Sequence, residues 1–175
     1  MFRFENLDDV TRRYMLIEVE QAIKTSQLHL SQRFTALGRK RYPDLLREAV
    51  QTGNEDSLTA ALAQQQCFAE REPYGTGTRR VPINAAFTFA AGQFNAFYMR
   101  GVSHRAIQAG IQVEVYRAKE VSTERLASRY QVGQKLDPQN VLQLLRHSPS
   151  GQYRGPAVPA GFNSGLSIRL VKTSL

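Results

Sequence analysis

Tryptophan is absent from the 175 residues, and cysteine occurs once, at Cys67. A lone cysteine excludes a disulfide framework within the chain. Cys67 follows an Ala- and Gln-rich run, which suits a small buried hydrophobe; a catalytic thiol needs a base nearby, and the sequence marks none. His29, His104 and His147 lie far apart, and none pairs with a second His or with Cys67 at metal-ligand spacing. No stretch reaches the roughly 18 uninterrupted apolar residues of a membrane span. The richest run, Ala85 to Met99, is broken by Thr88, Gln93 and Asn95. The opening MFRFENLDD lacks the apolar core of a signal peptide, so a soluble, cytoplasm-like setting is expected. HEXXH, a P-loop and GXSXG are missing, and GTGTRR carries a GXG without a third glycine or a preceding strand. These absences point away from an enzyme, a metal or cofactor, and a membrane.

What is present suits one globular domain. Hydrophobic residues make up 42 % of the chain, with nine Phe and seven Tyr to build a core. Basic residues outnumber acidic ones by 23 to 15, a net charge of +8. That balance favours polyanions or acidic protein surfaces as partners, or is simply a solvated basic face.

The pattern is mainly α. Asn6 or Asp8 can cap a first helix, with acid in or beside its first turn. Leu7, Val10, Tyr14 and Ile17 recur at helical spacing and predict its buried stripe, leaving Glu18, Glu20 and Lys24 to the wet side. Ser31 can cap a short helix carrying Phe34 and Leu37, with Gly38 at its end. Arg39, Lys40 and Arg41 follow as a basic knot. Pro43 suits a first helical position, opening a helix with Leu45, Leu46, Ala49 and Val50. Gly53 stops it, and Asn54 or Asp56 starts another with Leu58, Ala61 and Leu62, a helical hairpin.

Residues 68–82 form the longest gap in the front part. Gly75 and Gly77 beside Arg79 and Arg80 suit either a mobile arm docking on something anionic or a plain surface loop. Asn84 then caps a long central helix, about 84–109, ended by Gly110. Its apolar girth predicts a helix covered on several sides, with Ala90, Ala91 and Gly92 leaving room for another backbone. Its last turns, with Arg100, His104 and Arg105, read as a wetter surface. A small β element is expected at about 111–121, where Ile111, Val113 and Val115 share a face, and at 166–172. One strand cannot stand alone; 166–172 is the best partner within the chain, and a neighbouring subunit is the other.

Ser122 or Thr123 starts a helix through Tyr130, and Asp137-Pro138 opens another that buries Val141, Leu142 and Leu145. A helix-turn-helix across this stretch fails on register, because the contacts expected beyond Val132 fall on Asp137 and Asn140 and Pro138 would lie in the recognition helix. The organisation expected is a helical domain over 1–147 and an extended C-terminal arm over 148–175, rich in Pro, Gly and Ser and ending in a strand.

The stretches FNAFYMRGVSHRAIQAGIQVEVYRAKEV and FNSGLSIRL resemble a group of bacterial and phage proteins of similar length, associated with tailed-phage head and neck genes. The likeness is strongest from Val81 to Val121 and carries no catalytic motif. It implies a virion structural or adaptor protein, made in the host cytoplasm. Its implied partners are portal, capsid or tail proteins, further copies of itself, and packaged DNA. On that reading Arg39, Lys40, Arg41, Arg79, Arg80, Arg100, His104 and Arg105 are candidate contacts to a partner or to nucleic acid. Leu166, Ile168 and Leu170 are the candidate docking strand. The alternative is a free basic nucleic-acid-binding or regulatory protein.

Overall fold

A computed structural model describes residues 2–120, 126–148 and 164–171. The molecule is mainly helical and is organised around one long helix. Helix α1 (Asp9–Lys24) is capped by Asp8, whose side chain accepts the Thr11 N–H. Helices α2 (Ala36–Thr52) and α3 (Glu55–Gln64) form the expected hairpin, closed by a capping box between Asn54 and Ser57. After strands β1 (Arg71–Tyr74) and β2 (Gly77–Arg80), the central helix α4 (Ala85–Ala109) runs through the core and ends on left-handed Gly110. It packs against α1, α3, α6 (Pro138–His147) and β5 (Leu166–Leu170), and every residue from Ala90 to Ser103 is buried.

The second β element is a three-stranded antiparallel sheet in the order β4 (Lys135–Leu136), β3 (Val113–Arg117), β5. Val115 lies opposite Ile168 and Val113 opposite Leu170, so the partner found by alternation is the one used. Strand β3 is shorter than its expected span. Helix α5 (Leu126–Arg129) and α6 are separate helices, with Gly133 in the left-handed region between them. Asp137 caps α6 through the Gln139 N–H, as the Asp-Pro pair predicts. The expected helix start at Ser122 or Thr123 and most of the expected arm, 149–163, lie outside the described residues.

Three elements differ from expectation. On α1 the buried face is Thr11, Met15, Glu18, Val19 and Ala22, while Val10 and Ile17 are exposed. The helix is turned because it crosses α4 at Gly101. A Cβ there would lie 2.5 Å from Met15 Cγ and 3.1 Å from the Thr11 carbonyl. Close packing selects the slim Thr11–Met15 line, and the fold satisfies the polar atoms on that face.

Helix α2 is continuous where two pieces were expected. Thr35 caps it, accepting from the Gly38 N–H at 2.9 Å, and Pro43 lies inside it. Gly38 is required for space, not as a terminator: a Cβ would sit 2.1 Å from the Cys67 carbonyl oxygen. Cys67 itself is buried, as expected.

Residues 71–80 are a β-hairpin and not a loop. Gly75, at φ +57°, makes the two-residue turn with Thr76. Alternating hydrophobicity is silent here because both faces of the hairpin meet solvent.

Candidate interaction surface

The hairpin rises from an aromatic base. Phe34 pairs with Phe68 in an antiparallel bridge, and Ala69 donates to the Arg33 carbonyl. Phe89 of α4 lies edge-on to Phe34, Tyr42 and Phe68 beneath them. Val81 donates to the Glu70 carbonyl and extends the ladder by one pair. Beyond that pair the ribbon leaves the body: of its eight strand residues, Glu72 alone is not exposed.

Strand alternation sorts these side chains onto two faces. One carries Glu72, Tyr74 and Arg79. There Glu72 accepts from Arg33 and from Arg79 Nε at 2.7 Å, and the Arg79 guanidinium lies 4.4 Å from the Tyr74 ring centroid. The Arg33 hydrogen bond, with help from Arg79, holds the Glu72 carboxyl below the usual range. This face is electrically closed and ties the ribbon to the body through Arg33.

The other face carries Arg71, Pro73, Thr78 and Arg80, with no acid. Arg71 and Arg80 are directly opposite in the register. Arg71 donates to Thr78 Oγ1 and to the Thr78 carbonyl, while Arg80 has no hydrogen bond or ion pair among the described residues. Like charges facing each other across a strand pair are destabilising.

Beside the ribbon, a cleft of about 500 Å³ opens between the end of α3, the ribbon base and the start of α4. Leu62, Gln66, Phe68, Val81 and Ala85 line it, and Ile83 stands fully exposed at its rim. Arg39, Lys40 and Arg41 are exposed on the first turns of α2, which begins at the same base; Arg41 donates to Gln65, just past the end of α3.

The remaining candidate contacts are internal. Arg100 is buried, donates to the Leu145 carbonyl and lies over the Phe97 ring, so it joins α4 to α6 and offers nothing to a partner. Arg105 spans to Asp8 and Thr11 of α1. His104 Nδ1 is 3.1 Å from Glu18 Oε1 and its ring packs on Tyr14. Glu18, expected on the wet side, is the centre of this node: Arg146 of α6 binds it at 2.6 and 2.9 Å. The end of α4 looked wet because it is rich in polar residues, but these bind α1 and α6.

The docking strand is likewise internal. Leu166 and Ile168 are buried in the core and Leu170 packs against it, because β5 pairs along its full length with β3. Its outer edge is closed too: Asn95 Nδ2 donates to the Leu166 carbonyl, and Leu170 N–H donates to Asn6. The Ser167 hydroxyl completes the junction, 2.7 Å from Asn95 Oδ1. Strand addition by 166–170 to another subunit is therefore not available while this pairing stands.

Sequence reasoning missed Arg71, Glu18, Arg146 and Asn95. The signal for the ribbon was a two-residue Gly-X turn between runs able to pair. For Glu18 and Asn95 the signal was a polar residue at a helical position shared with core residues. Among the described residues no group of His, Cys, Asp or Glu is placed to hold a metal ion, and no helix is long and apolar enough to cross a membrane. No family model, no curated protein and no solved structure matches the chain.

Proposed function

We propose that this chain is a structural or adaptor protein of a tailed-bacteriophage particle, at the head or the head-to-tail connector, working through protein–protein contacts. It is made in the host cytoplasm, incorporated into the virion, and present there in several symmetric copies. The sequence resemblance supplies the setting.

The observation that carries the reading is the β1–β2 ribbon. Each strand has the other as its partner in a two-stranded sheet, so each has an outer edge on which no further strand lies among the described residues. A two-stranded hairpin is marginal by itself in water. Exposed edges can pair with another chain; here Pro73 has no N–H to donate and the Thr78 carbonyl already accepts from Arg71, so the ribbon docks chiefly through its side-chain faces. The docking element thus moves from residues 166–170 to residues 71–80, and the cleft with Ile83 at its rim offers an apolar contact beside it.

The test is a particle preparation. Tailed particles purified from the source strain should contain the chain in fixed stoichiometry with portal, capsid or tail protein. A variant whose residues 72–79 are replaced by a short Gly-Ser turn should fold with the same helical content yet fail to enter particles. Purified particles without the chain would overturn the proposal.

A further inference from the structure

We infer that the Arg71–Arg80 face of the ribbon is a binding site for the phosphate backbone of duplex nucleic acid. The inference rests on the ribbon as a docking element and names the chemistry that one of its faces takes.

Three observations carry it. First, charge is segregated by face. The one acid within the two strands, Glu72, lies on the Arg79 side and is already engaged by Arg33 and Arg79. The opposite face holds two arginines and no acid. Second, those arginines are direct cross-strand neighbours, an arrangement that costs stability without an anion between them. The fold offers Arg71 only neutral oxygens of Thr78 and offers Arg80 nothing among the described residues. Third, the geometry selects the ligand. A bare two-stranded ribbon is one of the elements that the major groove admits, and paired guanidinium groups match phosphate oxygens bidentately.

Single strands fit less well. They are held by aromatic platforms on which bases stack, and the one aromatic side chain of the ribbon, Tyr74, carries Arg79 against its ring. An acidic protein surface would satisfy the charge but would not need the groove-sized ribbon.

The experiment uses the full chain, a fluorescent duplex of mixed sequence, and Arg80→Glu. This variant places a carboxylate directly opposite Arg71, so it is expected to leave the ribbon as stable or to raise the thermal midpoint. At the same time it removes the charge that would bind phosphate. The wild type should bind the duplex with an affinity that falls steeply with salt, and Arg80→Glu should weaken binding at least about tenfold at low salt. The double variant Arg71→Ala, Arg80→Ala should lower the slope of log K against log salt by about two. Between 50 and 200 mM salt the wild type would therefore lose roughly 12-fold more affinity than the double variant.

A wild type that does not bind at 50 mM salt overturns the inference, as does an Arg80→Glu variant that binds equally well. If duplex binding is absent while Arg80→Glu still blocks entry into particles, the face takes an acidic protein instead. In that case the inference fails and the adaptor reading survives. Tighter binding to a single strand than to the duplex also overturns it.

Discussion

Replacing Arg146 with alanine should harm this fold more than replacing Glu18 with methionine, although Arg146 is the surface residue of the two. The Glu18 side chain has no exposure, whereas Arg146 is 39 % exposed and His104 23 % exposed. If Glu18 becomes methionine, the Arg146 guanidinium can swing into water, and the new side chain lies beside Met15 in an apolar interface. The loss is then three hydrogen bonds, two from Arg146 and one with His104, whose partners are both partly exposed and can turn to water, about 1–2 kcal/mol. If Arg146 becomes alanine, the buried carboxylate keeps one neighbour, His104 at 3.1 Å. Breaking a buried pair in this way costs about 3–5 kcal/mol. At roughly 2–4 °C per kcal/mol for a chain of this size, the two single variants should differ by on the order of 10 °C in thermal midpoint. Urea titrations with unchanged slope would give the free energies directly. The double variant Glu18→Met, Arg146→Ala should recover to near the Glu18→Met value, since no buried charge is left without a partner. A Glu18→Met loss equal to or larger than that of Arg146→Ala would refute the reasoning and would mean that the node stabilises through Arg146 packing and not through its charge.

Three further outcomes test the packing around α4. Burial pushes the Asp8 carboxyl up, but the Thr11 amide and Arg105 outweigh it and leave it below the usual carboxylate range. A depressed carboxyl stabilises above its unfolded value, about pH 4, and that stability is lost as pH falls through the folded value. The stability gap between wild type and Asp8→Asn should thus be full at neutral pH and close in acid; a gap that does not change with pH would contradict this. Gly101→Ala should cost about 1–3 kcal/mol by forcing α1 away from α4, read as a lower urea midpoint; an unchanged midpoint would show that the crossing is loose. Asn95→Leu should cost about 1–3 kcal/mol by leaving the Ser167 hydroxyl and Leu166 carbonyl unpaired. Its mark should be faster hydrogen exchange confined to β3 and β5, and uniform acceleration would argue against a local junction.

Much of the architecture was legible because local chemistry and packing agree. Asp8 and Asp137 cap where a side-chain acceptor precedes a helix, Gly110 ends α4 in the left-handed region, and β3 finds β5 by alternation. The failures share a cause. Hydrophobic periodicity finds the side chains that want burial, but the α1–α4 crossing is decided by which residues permit close approach. Thr11 and Glu18 occupy that face because Gly101 lets the backbones come near and because Arg105, His104 and Arg146 satisfy their polar atoms. Gly38 misled for the same reason: a glycine that accommodates a neighbouring carbonyl looks, in sequence, like one that ends a helix. The ribbon was invisible for the opposite reason. A hairpin with no buried face has no apolar alternation to detect, and the turn glycine with the residues that can pair around it was its one local mark.

The candidate site divides along a line that sequence does not carry. Arginines occur in both the internal node and the ribbon, and their local sequence does not separate them. What separates them is where the fold puts carboxylates. Arg79, Arg105, Arg146 and Arg169 each meet an acid. Basic residues outnumber acidic ones by 23 to 15, and the location of the cations that meet no acid has consequences. Arg39 and Lys40 are exposed on a helix, where water solvates them and the α2 core holds the backbone regardless. Arg71 and Arg80 face each other on an element with no core of its own, so their repulsion is set against the ladder hydrogen bonds, the Arg71–Thr78 contacts, Arg79 on Tyr74 and the ties of Glu72 to Arg33 and Arg79. Unpaired charge is tolerable on a supported helix and destabilising on an unsupported ribbon. The ribbon is therefore where an external anion would gain the most, by binding two guanidinium groups and relieving their repulsion in the same step.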